Sequence, residues 1–386
     1  MVMVDGGKHK NCIFHKLFTL DMLYKMVSPV TCEAAHEPSY ICPRANAELV
    51  EDQLMVLLDR ETAYTVPHTP CRASIVDPDR LPYDEWRRKI CQWSFKVIDH
   101  FRLDREVVSC AMNIFDRYLA RMPKSFDMET CDCPACQRSV DSRTFQLTAM
   151  TSLYLAMKLN SDNGDNESSC RKLRLISFVE LSRGQFCADD ICEMETTILK
   201  ELRWQVHPTT PMTCVSYLLR LMPPATSIPW PARKSYDLVL HVLHELARYL
   251  TELSVCLGST CSAHTPSQIA YASIMVSMDL LTYPALPLQV RRYFNEAVVS
   301  LSSRSGGTIL TPHDEIILYL QEKLRQSFWP EMLMDDRESS ETGHPISMAR
   351  DFGLLDISSL SSTPYYAPNR TSVKENWEGS PICVSR

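Results

Sequence analysis

No uninterrupted apolar run in this 386-residue sequence is long enough to cross a bilayer, so no membrane partner is expected. The apolar patch near the start, LFTLDMLYKMV, is broken by Asp21 and Lys25, and no small-residue cleavage site follows it. It does not read as a secretory signal. An excess of positive charge is missing too. Lys and Arg number 40 against 47 Asp and Glu, and the net charge of −7 argues against a nucleic-acid backbone as the main partner. Glycine is scarce, with 10 residues in all, and these form no Gly-rich phosphate loop. Asp351-Phe352-Gly353 spells a kinase metal-binding tripeptide, but no catalytic-loop motif accompanies it and it reads as chance. Neither paired carboxylates nor a Ser/His/Asp set stands out. The chain is therefore not expected to be an enzyme, and no cofactor is expected.

What is present is ordinary for a soluble chain: 45% apolar and 23% charged residues, with length for two domains. The 16 cysteines, in a chain without a secretory signal, read as reduced thiols of the nucleus or cytosol. Cys131, Cys133 and Cys136 form C-x-C-x-x-C in a loop, with Cys170 in the next loop. Three close thiolates are able to nucleate a zinc site, which would make the chain a zinc-binding interaction protein. The usual paired spacing is absent, however, and solvent-exposed thiols are the plainer reading, so no metal is assigned.

Hydrophobic periodicity predicts an all-α fold. Residues 1–45 mix His, Cys, Pro and short apolar groups without a sustained period and read as a flexible arm. A short amphipathic run from Glu48 precedes five predicted helices: 83–101, 103–121, 143–160, a short one in LRLISFVELS, and 189–203. The third, RTFQLTAMTSLYLAMKLN, is apolar nearly all round and is expected at the centre of a bundle. Its last turn carries Lys158, for which favourable placement against the helix dipole is a sufficient account. The fifth has Ile191, Ile198, Leu199 and Leu202 on its buried face, and Glu195 falls on that face too. Either a cation or donors meet that carboxylate, or it lies at the edge of the stripe and reaches water. After His207-Pro208 a second set of five helices is predicted. Two of them are signalled by Thr265-Pro266-Ser267-Gln268 and Thr311-Pro312 as cap and first-turn proline. The division is thus 1–45 as arm, 46–207 as first bundle with its preceding helix, 208–329 as second bundle, and 330–386 as an acidic Ser/Thr/Pro-rich tail expected to be disordered.

The segments WRRKICQWSFKVIDHF, EVVSCAMNIFDRYLA, FQLTAMTSLYLAMKL and DICEMETTILKELRW resemble, in consecutive order, the cyclin box of the cell-cycle cyclins. The resemblance covers about 83–207, while the second half is similar to a cyclin C-terminal box only in length and helix count. It implies two tandem five-helix cyclin-fold bundles, and a regulatory subunit that binds and activates a cyclin-dependent serine/threonine kinase during the cell cycle, in nucleus and cytoplasm. It further implies a structural ion pair between Arg87 and Asp116. Lys158 and Glu195 would hold the kinase αC helix, with Phe186, Ile191 and Leu199 as apolar surround. A transcription-associated protein built on two cyclin folds is the alternative within the same fold, but such proteins are usually basic where they meet DNA.

The chain departs from the family in places. Two acidic residues often follow the lysine, and here they are Leu159 and Asn160. The substrate-docking patch of the family corresponds to Trp86, Ile90, Trp93 and Gln146, with Lys96 where an acidic residue is usual. Substrate peptides with acidic rather than basic flanks are the expected match. In the tail, Lys374-Glu375-Asn376 resembles a short degron read by a ubiquitin ligase, and Thr363-Pro364 and Ser380-Pro381 are candidate phosphorylation sites.

Overall fold

The computed structural model describes residues 47–65, 83–101, 103–122, 142–160, 175–229, 232–258, 263–327 and 349–356. Among the described residues the secondary structure is helical, apart from one isolated antiparallel bridge between Leu281 and Leu355. None of these helices is long and apolar enough to cross a membrane. In chain order they are α1 (Ala47–Glu61), α2 (Tyr83–His100), α3 (Glu106–Arg121), α4 (Ser142–Asn160), α5 (Leu175–Leu181), α6 (Ala188–Glu201), α7 (Pro211–Leu218), α8 (Tyr236–Cys256), α9 (Pro266–Asp279), α10 (Leu288–Ser302) and α11 (Glu315–Ser327). Two compact units divide them, one holding α2–α6 and the other α7–α11 together with α1.

In the first unit α4 is central, packed against α3 and α6. Phe145, Ala149, Met150, Leu153, Leu155 and Ala156 are buried, and so are the small polar residues Thr148, Thr151 and Ser152 between them. A helix covered on most sides needs small side chains where its neighbours approach closely, and Thr148 meets its hydroxyl's needs by donating to the Thr144 carbonyl (2.8 Å). Helix α3 starts where Asp104 Oδ1 accepts the Glu106 N–H (2.8 Å). Helix α6 starts in a capping box. There Cys187 Sγ accepts the Asp190 N–H and Asp190 Oδ2 accepts the Cys187 N–H (2.9 Å).

In the second unit α9 is the buried centre, with Ala270, Ala272, Ser273 and Ser277 fully covered. Its start is as the sequence signals. Thr265 Oγ1 accepts the Gln268 N–H and Gln268 Oε1 accepts the Thr265 N–H (3.0 Å), with Pro266 in the first turn. The second signalled start differs. Helix α11 begins at Glu315, and Asp314 Oδ1 accepts the Ile316 N–H (2.7 Å), so Asp314 rather than Thr311 supplies the cap.

Two segments are placed differently from the sequence division. Helix α1, grouped by sequence with 46–207, packs in the second unit, where Leu54 and Leu58 join the core. Its last residue, Glu61, is fully buried and caps α9: Oε2 accepts the Ser267 N–H (2.9 Å) and Oε1 the Ser267 hydroxyl (2.7 Å). Residues 349–356, in the stretch expected to be disordered, are ordered against the same unit. Ala349 is fully buried, the Thr282 N–H donates to the Leu354 carbonyl (2.9 Å), and the Asp356 N–H donates to the Leu280 carbonyl (2.7 Å). The tripeptide Asp351-Phe352-Gly353 sits here, and Gly353 closes a helical turn with φ of 64°. Leu354 then returns its N–H to the Ala349 carbonyl (2.8 Å). That is a glycine doing a helix terminator's work.

Candidate functional site

Arg87 and Asp116 lie on facing helices, α2 and α3, both nearly excluded from water. Arg87 Nε donates to Oδ1 (2.8 Å) and Nη2 to Oδ2 (2.6 Å), a two-pronged contact matched to the carboxylate plane. This pair fixes how α2 lies on α3, and α3 in turn packs against α4.

Lys158 ends α4 and Glu195 lies midway along α6. Lys158 Nζ donates to Glu195 Oε1 at 2.6 Å, and the side chains are 48% and 14% exposed. This decides between the two readings of Glu195: it sits at the margin of its stripe, largely covered, and a cation meets it. Partial burial pulls the Lys158 ammonium down, but the hydrogen bond and charge of Glu195 outweigh it, so its pKa lies above the ordinary lysine value. Lys158 also stands over the Tyr154 ring, 5.1 Å from the centroid. Tyr154 is a site residue the sequence reading left in the core stripe. Its position four before Lys158, one helical turn back, is the signal that would have found it.

The apolar surround is arranged differently from expectation. Phe186 and Ile191 are buried inside the unit, and Arg143 stacks its guanidinium 4.9 Å from the Phe186 ring centroid. They are covered within the unit and are unavailable as surface contacts. Leu199 is half-buried, and Leu159, the residue after Lys158, is exposed. The accessible face thus consists of a preformed ion pair with Tyr154, Leu159 and Leu199 beside it or along the same helices.

On α2, Ile90 and Trp93 are buried, as is Gln146 on α4. Trp86 is half-buried with its ring edge on Phe145 (5.3 Å between centroids), and Lys96 is half-buried. Of the five residues, then, Trp86 and Lys96 are the ones that reach the surface. Lys374, Glu375 and Asn376, and Cys131, Cys133 and Cys136, lie outside the described residues. Among the described residues no group of His, Cys, Asp and Glu is arranged to hold a metal ion.

Residues 57–207 match the family model described as cyclin, N-terminal domain. Three curated relatives are similar to the chain. A G1/S-specific cyclin-E of Caenorhabditis briggsae is 28% identical over 136 residues, covering 35% of this chain and 22% of that protein. Cyclin-D3-3 of Arabidopsis thaliana is 30% identical over 135 residues, covering 35% and 32%. G2/mitotic-specific cyclin-3 of Saccharomyces cerevisiae is 26% identical over 205 residues, covering 53% and 39%. The chain spans less than half the length of each of these relatives. A solved viral cyclin from herpesvirus saimiri, 15% identical, superposes with a TM-score of 0.44 over 72% of this chain and 98% of that one. Residues 57–207 thus carry a cyclin N-terminal domain, and the chain is similar to cyclins of the E, D and mitotic classes.

Proposed function

We propose that this chain is a regulatory subunit, not itself an enzyme, that binds and activates a cyclin-dependent serine/threonine kinase and so controls progress through the cell cycle. The observation that carries this is the Lys158–Glu195 ion pair at 2.6 Å, half-open to solvent. A protein kinase is active when a glutamate of its αC helix pairs with the strand lysine that holds the ATP phosphates. A rigid face that binds the αC helix only in its inward position shifts the kinase toward that state by its differential affinity.

The pair is well built for such a task. Because each member already satisfies the other, neither stands as an unpaired charge before docking. On docking, the second oxygen of Glu195 is able to accept from the backbone and side chains of the incoming helix. Once the partner excludes water, removal of either member strands the other, at about 2–5 kcal/mol of binding. Substrate peptides would be met on α2 by Trp86 and Lys96, which favours acidic flanks. Residence in nucleus and cytoplasm, and turnover through a ubiquitin ligase acting on Lys374–Asn376, belong to the same proposal.

The test is a pull-down and histone-kinase assay with Lys158→Ala and Glu195→Ala, after circular dichroism has shown both variants folded. Binding and activation are expected to fall together in each. Folded variants that bind and activate the kinase as wild type does would overturn the mechanism.

A further inference from the structure

Helix α6 ends in an unusual turn. Arg203 and Trp204 are consecutive non-glycine residues in the left-handed region, with φ of 51° and 61°, a conformation that side chains with a Cβ resist. The turn is held on every side. Arg203 N–H donates to the Lys200 carbonyl (3.0 Å), Trp204 N–H to Leu199 (2.9 Å) and Gln205 N–H to Leu202 (3.0 Å). From α3, Arg117 Nη1 donates to the Gln205 carbonyl (2.7 Å) and Arg121 Nη1 to the Glu201 carbonyl (2.8 Å). Leu202 and Val206 are buried at either end, so the chain is pinned on both sides of residues 203–205, which stand outside.

What this scaffold presents is a tryptophan ring. Trp204 is 72% exposed, the most exposed large hydrophobic side chain among the described residues. Around it are the exposed cations Arg121, Lys200 and Arg203, with Glu201 as the carboxylate among them. Lys200 and Arg203 form no ion pair among the described residues. Cations at a helix C-terminus are ordinary, because they complement the dipole, but the dipole gives no reason to hold a tryptophan in water on a strained backbone. Tryptophan and arginine in a rigid frame are the residues that dominate protein–protein binding energy, since little ordering is left to be done on contact.

We propose that the turn at residues 202–206 is a docking site for an acidic peptide segment of a protein partner, with Trp204 as its anchor. An apolar side chain of the segment covers the indole, and its carboxylates meet Arg121, Lys200 and Arg203. A polyanion such as single-stranded nucleic acid fits less well. Glu201 lies within the patch, and the chain as a whole carries a net charge of −7. This site uses neither Lys158 nor Glu195, and it stands or falls without them.

The experiment is selection of displayed random peptides on the full chain in the absence of any kinase, followed by fluorescence-anisotropy titration of the selected peptides and of a labelled oligothymidylate. Selected peptides are expected to place Asp or Glu around an aromatic residue or leucine. They should lose about tenfold or more in affinity with Trp204→Gly and with Lys200→Glu/Arg203→Glu. Glycine relieves the left-handed backbone, so Trp204→Gly should melt no lower than wild type. Four outcomes overturn the proposal: no enriched peptide, enriched peptides that are neutral or basic, equal binding by the variants, or tighter binding of the oligothymidylate. A clear fall in melting temperature for Trp204→Gly would also do so, because the ring would then be serving the fold.

Discussion

At the scale of single residues, three buried or half-buried charges carry the most testable chemistry. Arg87→Ala leaves Asp116 buried opposite nothing. Breaking such a pair from one side costs about 3–5 kcal/mol, which should lower the melting temperature of the first unit by at least about 6 °C. The double variant Arg87→Met/Asp116→Leu should recover most of that loss, because the cost lies in the stranded charge. Thermal melts by circular dichroism check both, and a single variant as stable as wild type removes the claim. Glu61 is a different case. Burial pushes its carboxyl above the ordinary value of 4.5, against the lowering pull of the Ser267 hydroxyl and N–H. A raised folded-state pKa means that the folded protein holds the proton more tightly. Its contribution to stability is therefore full below pH 4.5 and is lost as pH rises through the folded value. Glu61→Gln keeps an acceptor for α9 and cannot ionise. Its stability relative to wild type, from urea unfolding, should improve as pH rises across that window and then level off. A difference that is flat with pH would show that the Glu61 cap carries no ionisation cost.

Among elements, α1 shows how a helix with a sparse stripe is assigned by its partners rather than by its own sequence. Its buried apolar anchors, Leu54 and Leu58, give no hint of which bundle they enter. The answer lies in polar contacts far along the chain: Glu61 with Ser267, Arg304 with Glu51, and the Gly306 N–H donating to Asp59 Oδ1 (2.9 Å). The loop after α10 also passes so close that a Cβ at Gly307 would stand 2.5 Å from the Leu58 carbonyl oxygen, whereas one at Gly306 meets only the Asp59 side chain at 3.5 Å. Gly307→Ala should therefore lower the second unit's stability by about 1–3 kcal/mol and Gly306→Ala by little, as read from paired thermal melts. Equal effects would mean that the loop yields freely. The same contrast explains what the sequence could show of the site. Helix α4 was legible because it is apolar all round, and the Thr265 start because cap, proline and glutamine are contiguous. The pairing of Lys158 with Glu195 joins residues on separate helices, which periodicity does not connect; the family resemblance connected them. Phe186 and Ile191 lie inside the unit rather than at its surface, because apolar character alone does not say whether a residue faces the core or a partner.

For the molecule as a whole, the second unit is assembled from three separated stretches of chain: 47–65, most of 208–327, and 349–356. Composition averaged over 330–386 hides the last of these, since its apolar residues are few and surrounded by acidic and hydroxyl residues. What orders the segment is local and specific. Ala349 fits a fully closed site, Leu354 and Leu355 pack against the core, and two backbone hydrogen bonds join it to Leu280 and Thr282 beside the end of α9. Asp279, at that same helix end, is paired with Arg325 of α11, so the strap lies where α9 and α11 are already tied. Ala349, Leu354 and Leu355 bury apolar surface against the unit, so the segment is expected to add to its stability. A chain ending at Asp356 should then melt several degrees above one ending at Met348, and the difference should vanish when Leu354 and Leu355 are both replaced by Asp in the longer chain. Hydrogen exchange at the Thr282 amide gives an independent reading, because its acceptor is the Leu354 carbonyl. Protection at Thr282 that survives truncation to Met348, together with unchanged melting, would show that the segment rests on the unit without stabilising it.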